Sequence, residues 1–169
     1  MLHFAATSKY DFQILKAVED VNELQKVRLL AKMQKHFGSL KGKRIAVWGL
    51  TFKPDTDDVR SSVAIEVVEQ LLREGAHVVA YDPKGMKARS IKAIADAEFA
   101  SSALEAVTDA EALIIATDWN EFANVDLAVL KDKMRTPIVF DGRNLLDPET
   151  MRQFGFSYYS VGRAGVRPQ

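Results

Sequence analysis

From Arg44 onward the chain alternates short, uniformly apolar runs with longer amphipathic stretches, and the main apolar runs end abruptly at glycine, aspartate or threonine. Ile45–Trp48 stops at Gly49, His77–Tyr81 at Asp82-Pro83, Ala112–Ala116 at Thr117 and Ile138–Phe140 at Asp141-Gly142. A strand that faces water on one side alternates apolar and polar residues. These runs do not, so both of their faces must be covered. Strands covered on both faces and separated by helical stretches form a parallel sheet with helices on either side. Right-handed crossovers then make it doubly wound.

The remaining elements follow from the same signals. Glu98–Ala100 and Phe156–Tyr159 complete six predicted strands. Helices are predicted over Ser62–Arg73, Ser102–Val107, Asp126–Lys131 and Pro148–Gln153, the first with Ser61 or Ser62 as N-cap and Gly75 at its C-terminal end. Lys84–Ile94 reads as weak helical turns, Trp119–Phe122 as a turn, and Val161 onward as a tail that frays from Val166. Ahead of the sheet, Asp11–Phe37 holds neither glycine nor proline and ends at Gly38, which predicts one long helix. Its apolar residues occupy more than one face, and a single domain can cover only one of them. The other face implies a second copy or a further domain. The expected class is therefore α/β, a doubly wound, mostly parallel Rossmann-like sheet preceded by a long helix. The expected division is residues 1–40 for the helical region and 41–169 for the sheet domain, joined by a linker at Lys41-Gly42-Lys43.

Composition narrows the chemistry. The 169 residues carry 23 basic and 23 acidic side chains, a formal net charge of zero. That disfavours a general nucleic-acid binder or a polybasic membrane binder. There is no cysteine, which excludes a disulfide scaffold, a thiolate nucleophile and a cysteine-ligated metal within these residues. His3, His36 and His77 are too scattered for a metal-ligand spacing. No apolar run approaches the roughly 18 residues of a membrane span, and the first ten residues lack the pattern of a secretion signal. A cytoplasmic location is the expectation.

Ligands of an open parallel sheet bind beyond the C-terminal ends of its strands. Four polar segments leave the strands there: Gly49–Arg60, Tyr81–Lys84, Thr117–Asn120 and Asp141–Asn144. The first lacks the glycines of a dinucleotide fingerprint, since Thr51 and Pro54 stand in their places. It offers Lys53 and Arg60 among Asp55, Asp57 and Asp58, a set suited either to phosphate with the acids as holders or to local salt bridges. Asp82 suits a ribose contact or, with those glycines missing, more naturally an Asx turn before Pro83. Arg143 suits phosphate or an ordinary exposed turn. Tyr81 and Trp119 are rim aromatics that could stack on a ring or close the core. No spacing gives a catalytic nucleophile–base set.

At these residues a resemblance enters. Lys43–Arg60, written KRIAVWGLTFKPDTDDVR, resembles the start of the C-terminal domain of the UDP-glucose/GDP-mannose dehydrogenase family. So do Tyr81-Asp82-Pro83, Thr117-Asp118-Trp119 and Val139–Asn144 followed by Asp147. Ala17–Lys26 is similar to the end of that family's central helical region. The wording VWGLTFKP and DGRN favours its UDP-glucose 6-dehydrogenases. The resemblance implies a part in the NAD-dependent, two-step oxidation of UDP-glucose to UDP-glucuronate through a cysteine-bound intermediate. It implies that Phe52, Lys53 and Arg143 touch the UDP-sugar substrate and that Arg60 reaches NAD. It also implies a homodimer formed through the long helix. The family's NAD-binding domain and cysteine segment would precede Leu2, so these residues alone are expected to be inactive. Alternatives are the same domain from a GDP-mannose or UDP-N-acetylhexosamine dehydrogenase, or a standalone nucleotide-binding or assembly module.

Overall fold

The computed structural model describes Gln13 and residues 29–168. Most of the predicted Asp11–Phe37 helix lies outside the described residues. Its end, 29–37 (α1), is helical. Gly38 follows at φ +73 and donates its N–H to Gln34 O at 2.8 Å, a left-handed close of the helix.

Six parallel strands form one sheet: β1 (Arg44–Trp48), β2 (His77–Tyr81), β3 (Glu98–Phe99), β4 (Ala112–Ile115), β5 (Ile138–Asp141) and β6 (Ser157–Ser160). Their order is β3-β2-β1-β4-β5-β6. The chain moves one way from β1 to β3 and then returns to the other side of β1, so the winding reverses between β1 and β4. The doubly wound expectation holds. Alternate residues serve opposite faces. Ile45, Val47, Ala80, Ile114 and Phe140 join one core with Leu30 and Met33 of α1 and with α2 (Val63–Arg73). Ala46, Trp48, Leu113 and Ile115 join the other, with α3 (Ala103–Ala106), α4 (Asn120–Ala123), α5 (Leu127–Lys133) and α6 (Pro148–Gln153). The central strands β4 and β5, and β1 from Ile45 on, are buried because both cores need them.

The weak helical turns expected over Lys84–Ile94 form as two 3-10 turns, Met86–Ser90 and Lys92–Ile94. Three other expectations need adjustment. Trp119–Phe122 is not a plain turn, because Trp119 caps the short helix α4. Ser62 takes the N-cap position of α2, but its side chain makes no capping bond. Asp126 and Asp147 do cap α5 and α6 through their carboxylates. The segment from Val161 folds back: Val166 and Tyr158 exchange two backbone hydrogen bonds of 2.9 Å as an antiparallel bridge. Arg167 Nε then donates to Tyr159 Oη at 3.1 Å, and Tyr159 Oη lies 2.9 Å from His36 Nδ1. The end of the chain is thereby tied to α1. Among the described residues no helix is long and apolar enough to cross a membrane.

Register aligns the strand exits. Trp48 sits beside Tyr81 and Ile115, and Asp141 beside Ile115 and Ser160. Adjacent strands are about 4.8 Å apart, so the β1 and β5 exits leave the sheet about 10 Å from each other. At the reversal point Gly49 has φ +93, and a Cβ there would stand 2.5 Å from Thr117 Cβ. Only glycine lets the two exits cross this closely.

Two outcomes are expected. Gly49→Ala combines left-handed strain with overpacking and should cost about 2–4 kcal/mol in urea unfolding. A loss under about 0.5 kcal/mol would refute the close crossing. Burial, then the Arg167 charge, pushes the His36 imidazole below its ordinary value of 6.5. The unfolded chain therefore binds the extra proton more readily. Stability should fall as pH drops below 6.5, and His36→Gln should flatten that part of the curve.

Candidate functional site

The rim of the sheet is organised by two buried aspartates. Asp82, at the β2 exit, is fully buried. Its Oδ1 accepts Lys84 N–H at 2.9 Å and Gly85 N–H at 2.5 Å, the expected Asx turn. Its Oδ2 reaches across to the β1 exit and accepts Leu50 N–H at 2.7 Å, Thr51 N–H at 3.0 Å and Thr51 Oγ1–H at 3.0 Å. From the β4 exit the Trp119 indole N–H adds a bond of 3.1 Å to the same oxygen. Thr117 Oγ1–H donates to Thr51 O at 2.8 Å. One carboxylate thus joins three strand exits. Gly85 belongs to the arrangement, since a Cβ there would lie 2.8 Å from Asp82 Cγ and Thr51 Cγ2.

Asp141 plays the corresponding part at the β5 exit. It is fully buried and accepts Arg143 N–H at 2.8 Å, Leu146 N–H at 3.0 Å and Tyr158 Oη–H at 2.8 Å. Burial, then the Asp141 charge, pushes the Tyr158 phenol far above its ordinary range. Asn144 and Val161 exchange a reciprocal pair of bonds that joins this exit to that of β6.

On this frame sit the predicted site residues. Phe52 is 59% exposed at the tip of the β1–α2 loop. Its N–H donates to Asp58 O at 2.9 Å, which closes the tip. Lys53 is exposed and makes no ion pair among the described residues. Arg60 pairs bidentately with Asp58, Nε to Oδ1 at 3.0 Å and Nη2 to Oδ2 at 2.8 Å. Those hydrogen bonds hold the Asp58 carboxyl well below the usual carboxylate range. Asp57 does not hold Lys53, as the acidic loop suggested it could. It pairs with Lys87 of the first 3-10 turn at 2.7 Å, and that contact lowers its own carboxyl. Arg143 lies at the β5 exit and contacts Asp118. An open cleft of about 390 Å³ is lined by Phe52, Asp58, Arg60 and Ser61. Phe52 and Arg60 therefore share one concavity, while Lys53 and Arg143 stand outside its lining.

Trp119 and Tyr81 separate by role. Trp119 is buried and committed to Asp82, so it closes the core. Tyr81 is half-buried with its hydroxyl 3.3 Å from Glu121 Oε2. The residues also answer whether a dinucleotide fits here. The usual site lays pyrophosphate on the glycine turn after β1 and ribose on an acid after β2. Thr117 fills the approach at Gly49, and Asp82 uses both oxygens inside the protein. The β1–β2 crevice does not fit NAD. Among the described residues no group of three or more His, Asp or Glu could hold a metal.

Sequence reading named Asp118 and Asp141 only as motif members. The one available signal was an acid directly after an apolar strand. It does not show which acid turns inward and which stays at the rim.

Residues 46–148 match the model described as the UDP-glucose/GDP-mannose dehydrogenase family, UDP binding domain. The chain is 38% identical over 167 residues to UDP-glucose 6-dehydrogenase TuaD of Bacillus subtilis, covering 99% of this chain and 36% of that protein. It is 40% identical over 169 residues to a UDP-glucose 6-dehydrogenase of Pseudomonas aeruginosa, covering 96% and 37%. A solved UDP-glucose dehydrogenase from Pyrobaculum islandicum superposes with a TM-score of 0.81 at 29% identity, covering 96% of this chain and 35% of that one. The chain spans about a third of the length of the curated relatives it matches.

Asp82→Ala should strip an acceptor from four backbone N–H groups and the Trp119 indole. The expected loss is at least about 3 kcal/mol in urea unfolding, with a shift in tryptophan emission. An unchanged midpoint and spectrum would rule out the joining role.

Proposed function

Because the chain belongs to the UDP-glucose/GDP-mannose dehydrogenase family and carries its UDP binding domain, we propose that it is the uridine-nucleotide-binding part of a longer, NAD-dependent UDP-glucose 6-dehydrogenase. The observation that carries the choice of glucose is the 38% and 40% identity to two UDP-glucose 6-dehydrogenases across nearly the whole chain.

The chain's own contribution is to bind and to orient. Lys53 and Arg143 supply the positive charge that a diphosphate requires, each charge-assisted bond being worth about 1.5–3 kcal/mol. Their strand exits lie about 10 Å apart, a span that a nucleoside diphosphate sugar covers. The exposed Phe52 ring offers an apolar face to the nucleotide or sugar. The loop carrying it is held by Asp82, Thr117 and the Asp57–Lys87 pair, so little ordering remains to be done on binding.

NAD would take up the hydride from the sugar's C6 alcohol when it is bound to the longer protein. Arg60, exposed beside the cleft, is the residue of this chain that would reach that cofactor. The thiol chemistry of the family is not available to these residues, which include no cysteine. Isolated, the chain binds without turning over. In the longer protein the helix predicted over Asp11–Phe37 pairs two copies into a homodimer.

Calorimetric titration tests the reading. UDP and UDP-glucose should bind, and GDP-mannose at least about tenfold more weakly. Lys53→Ala and Arg143→Ala should each weaken UDP about tenfold. Equal binding of GDP-mannose would refute the uridine assignment.

A further inference from the structure

Arg60 and Arg143 share an arrangement that nucleotide contact alone does not account for. Each has one edge of its guanidinium already occupied. Arg60 gives Nε and Nη2 to Asp58. Arg143 gives Nε to Asp118 Oδ1 at 2.9 Å, and its Nη2 lies 2.8 Å from the same oxygen. A guanidinium carries five N–H groups fixed in one plane. With the side-on edge taken, the end-on edge remains: Nη1 together with the outer N–H of Nη2. That edge, like the side-on one, can form two parallel bonds to a phosphate, and here it is the edge left open.

The two clamps differ in reach. Asp58 is two residues from Arg60, so that pair moves with its own loop. Asp118 leaves β4, while Arg143 leaves β5. Both backbones are anchored there. Arg143 N–H is bound by the buried Asp141. The neighbours of Asp118 are buried, Thr117 bound to Thr51 O and Trp119 to Asp82. The pair itself is open to water, with Asp118 37% and Arg143 42% exposed. A solvated ion pair of this kind adds little to stability. Spanning two fixed exits, it fixes a direction instead.

We infer that Asp118 is a positioning residue that aims the end-on edge of Arg143 at the diphosphate of the bound nucleotide. The inference rests on the uridine-nucleotide reading above. An arginine oriented in advance loses less side-chain freedom when the anion arrives. Repulsion between the Asp118 carboxylate and the phosphate is screened, because the pair faces solvent.

The experiment is calorimetric titration of the full chain with UDP, using the wild type, Asp118→Asn, Arg143→Ala and the double variant. Asp118→Asn should weaken UDP about three- to tenfold, and Arg143→Ala about tenfold or more. The Asp118 change should have no further effect once Arg143 is alanine. A purely structural role would instead lower the thermal midpoint and persist in the Arg143→Ala background. The midpoint of Asp118→Asn should stay within about 2 °C of the wild type. If Arg143→Ala weakens UDP but Asp118→Asn binds as tightly as the wild type or more tightly, the positioning role is overturned and the nucleotide reading stands. A loss from Asp118→Asn that persists without Arg143 also overturns the role. A wild type that fails to bind UDP, or an Arg143→Ala variant that binds it unchanged, overturns the nucleotide reading and this inference together.

Discussion

The rim of this sheet depends on a carboxylate with no access to water. Asp82 is fully buried and accepts six hydrogen bonds from the exits of β1, β2 and β4. Burying a carboxylate costs several kcal/mol unless strong donors replace the lost water. Four of those donors are backbone N–H groups that would themselves be orphaned in loops packed over a core. Each side of the exchange therefore solves the other's problem. The close crossing of Gly49 and Thr117 and the narrow space at Gly85 are the steric conditions for it.

That anchoring separates two kinds of charge on the same edge. Asp82 and Asp141 point inward and act on the backbone. Asp58, Asp118, Arg60 and Arg143 point outward and act on one another. A flexible loop would let the outward charges collapse into whichever pairs formed first. Here their backbones are fixed, so the pairs have defined geometry and leave defined edges of each arginine open. The zero net charge of the chain is compatible with anion binding for this reason. The relevant quantity is where the cationic edges face, not the overall sum.

The fold was largely legible in the sequence because its cause is local. Non-alternating runs such as Ile45–Trp48 and Ala112–Ile115 declare burial on both faces, and glycine or aspartate after them declares where the strand stops. The misses were equally physical. The short helix that Trp119 caps forms where its Phe122 stacks on the buried Trp48. Val166 leaves the predicted tail because Tyr158 offers it an open edge of β6. Trp48 stands far from that helix in sequence, and Val166 meets Tyr158 only after the chain turns back.

Sequence by itself determined the doubly wound class, the four polar exits and the candidates Lys53, Arg60 and Arg143, which follow from residue type and short-range pattern. Phe52 entered only through the family resemblance. Only the tertiary structure decided what each acid does. It gave Asp82 and Asp141 to the interior, paired Asp57 with Lys87 rather than Lys53, and set Asp118 against Arg143 across two strands. A carboxylate's role depends on which donors surround it in space. Beyond the Asx turn, the donors of Asp82 and Asp118 stand between 25 and 37 residues away along the chain, a separation that no local pattern encodes.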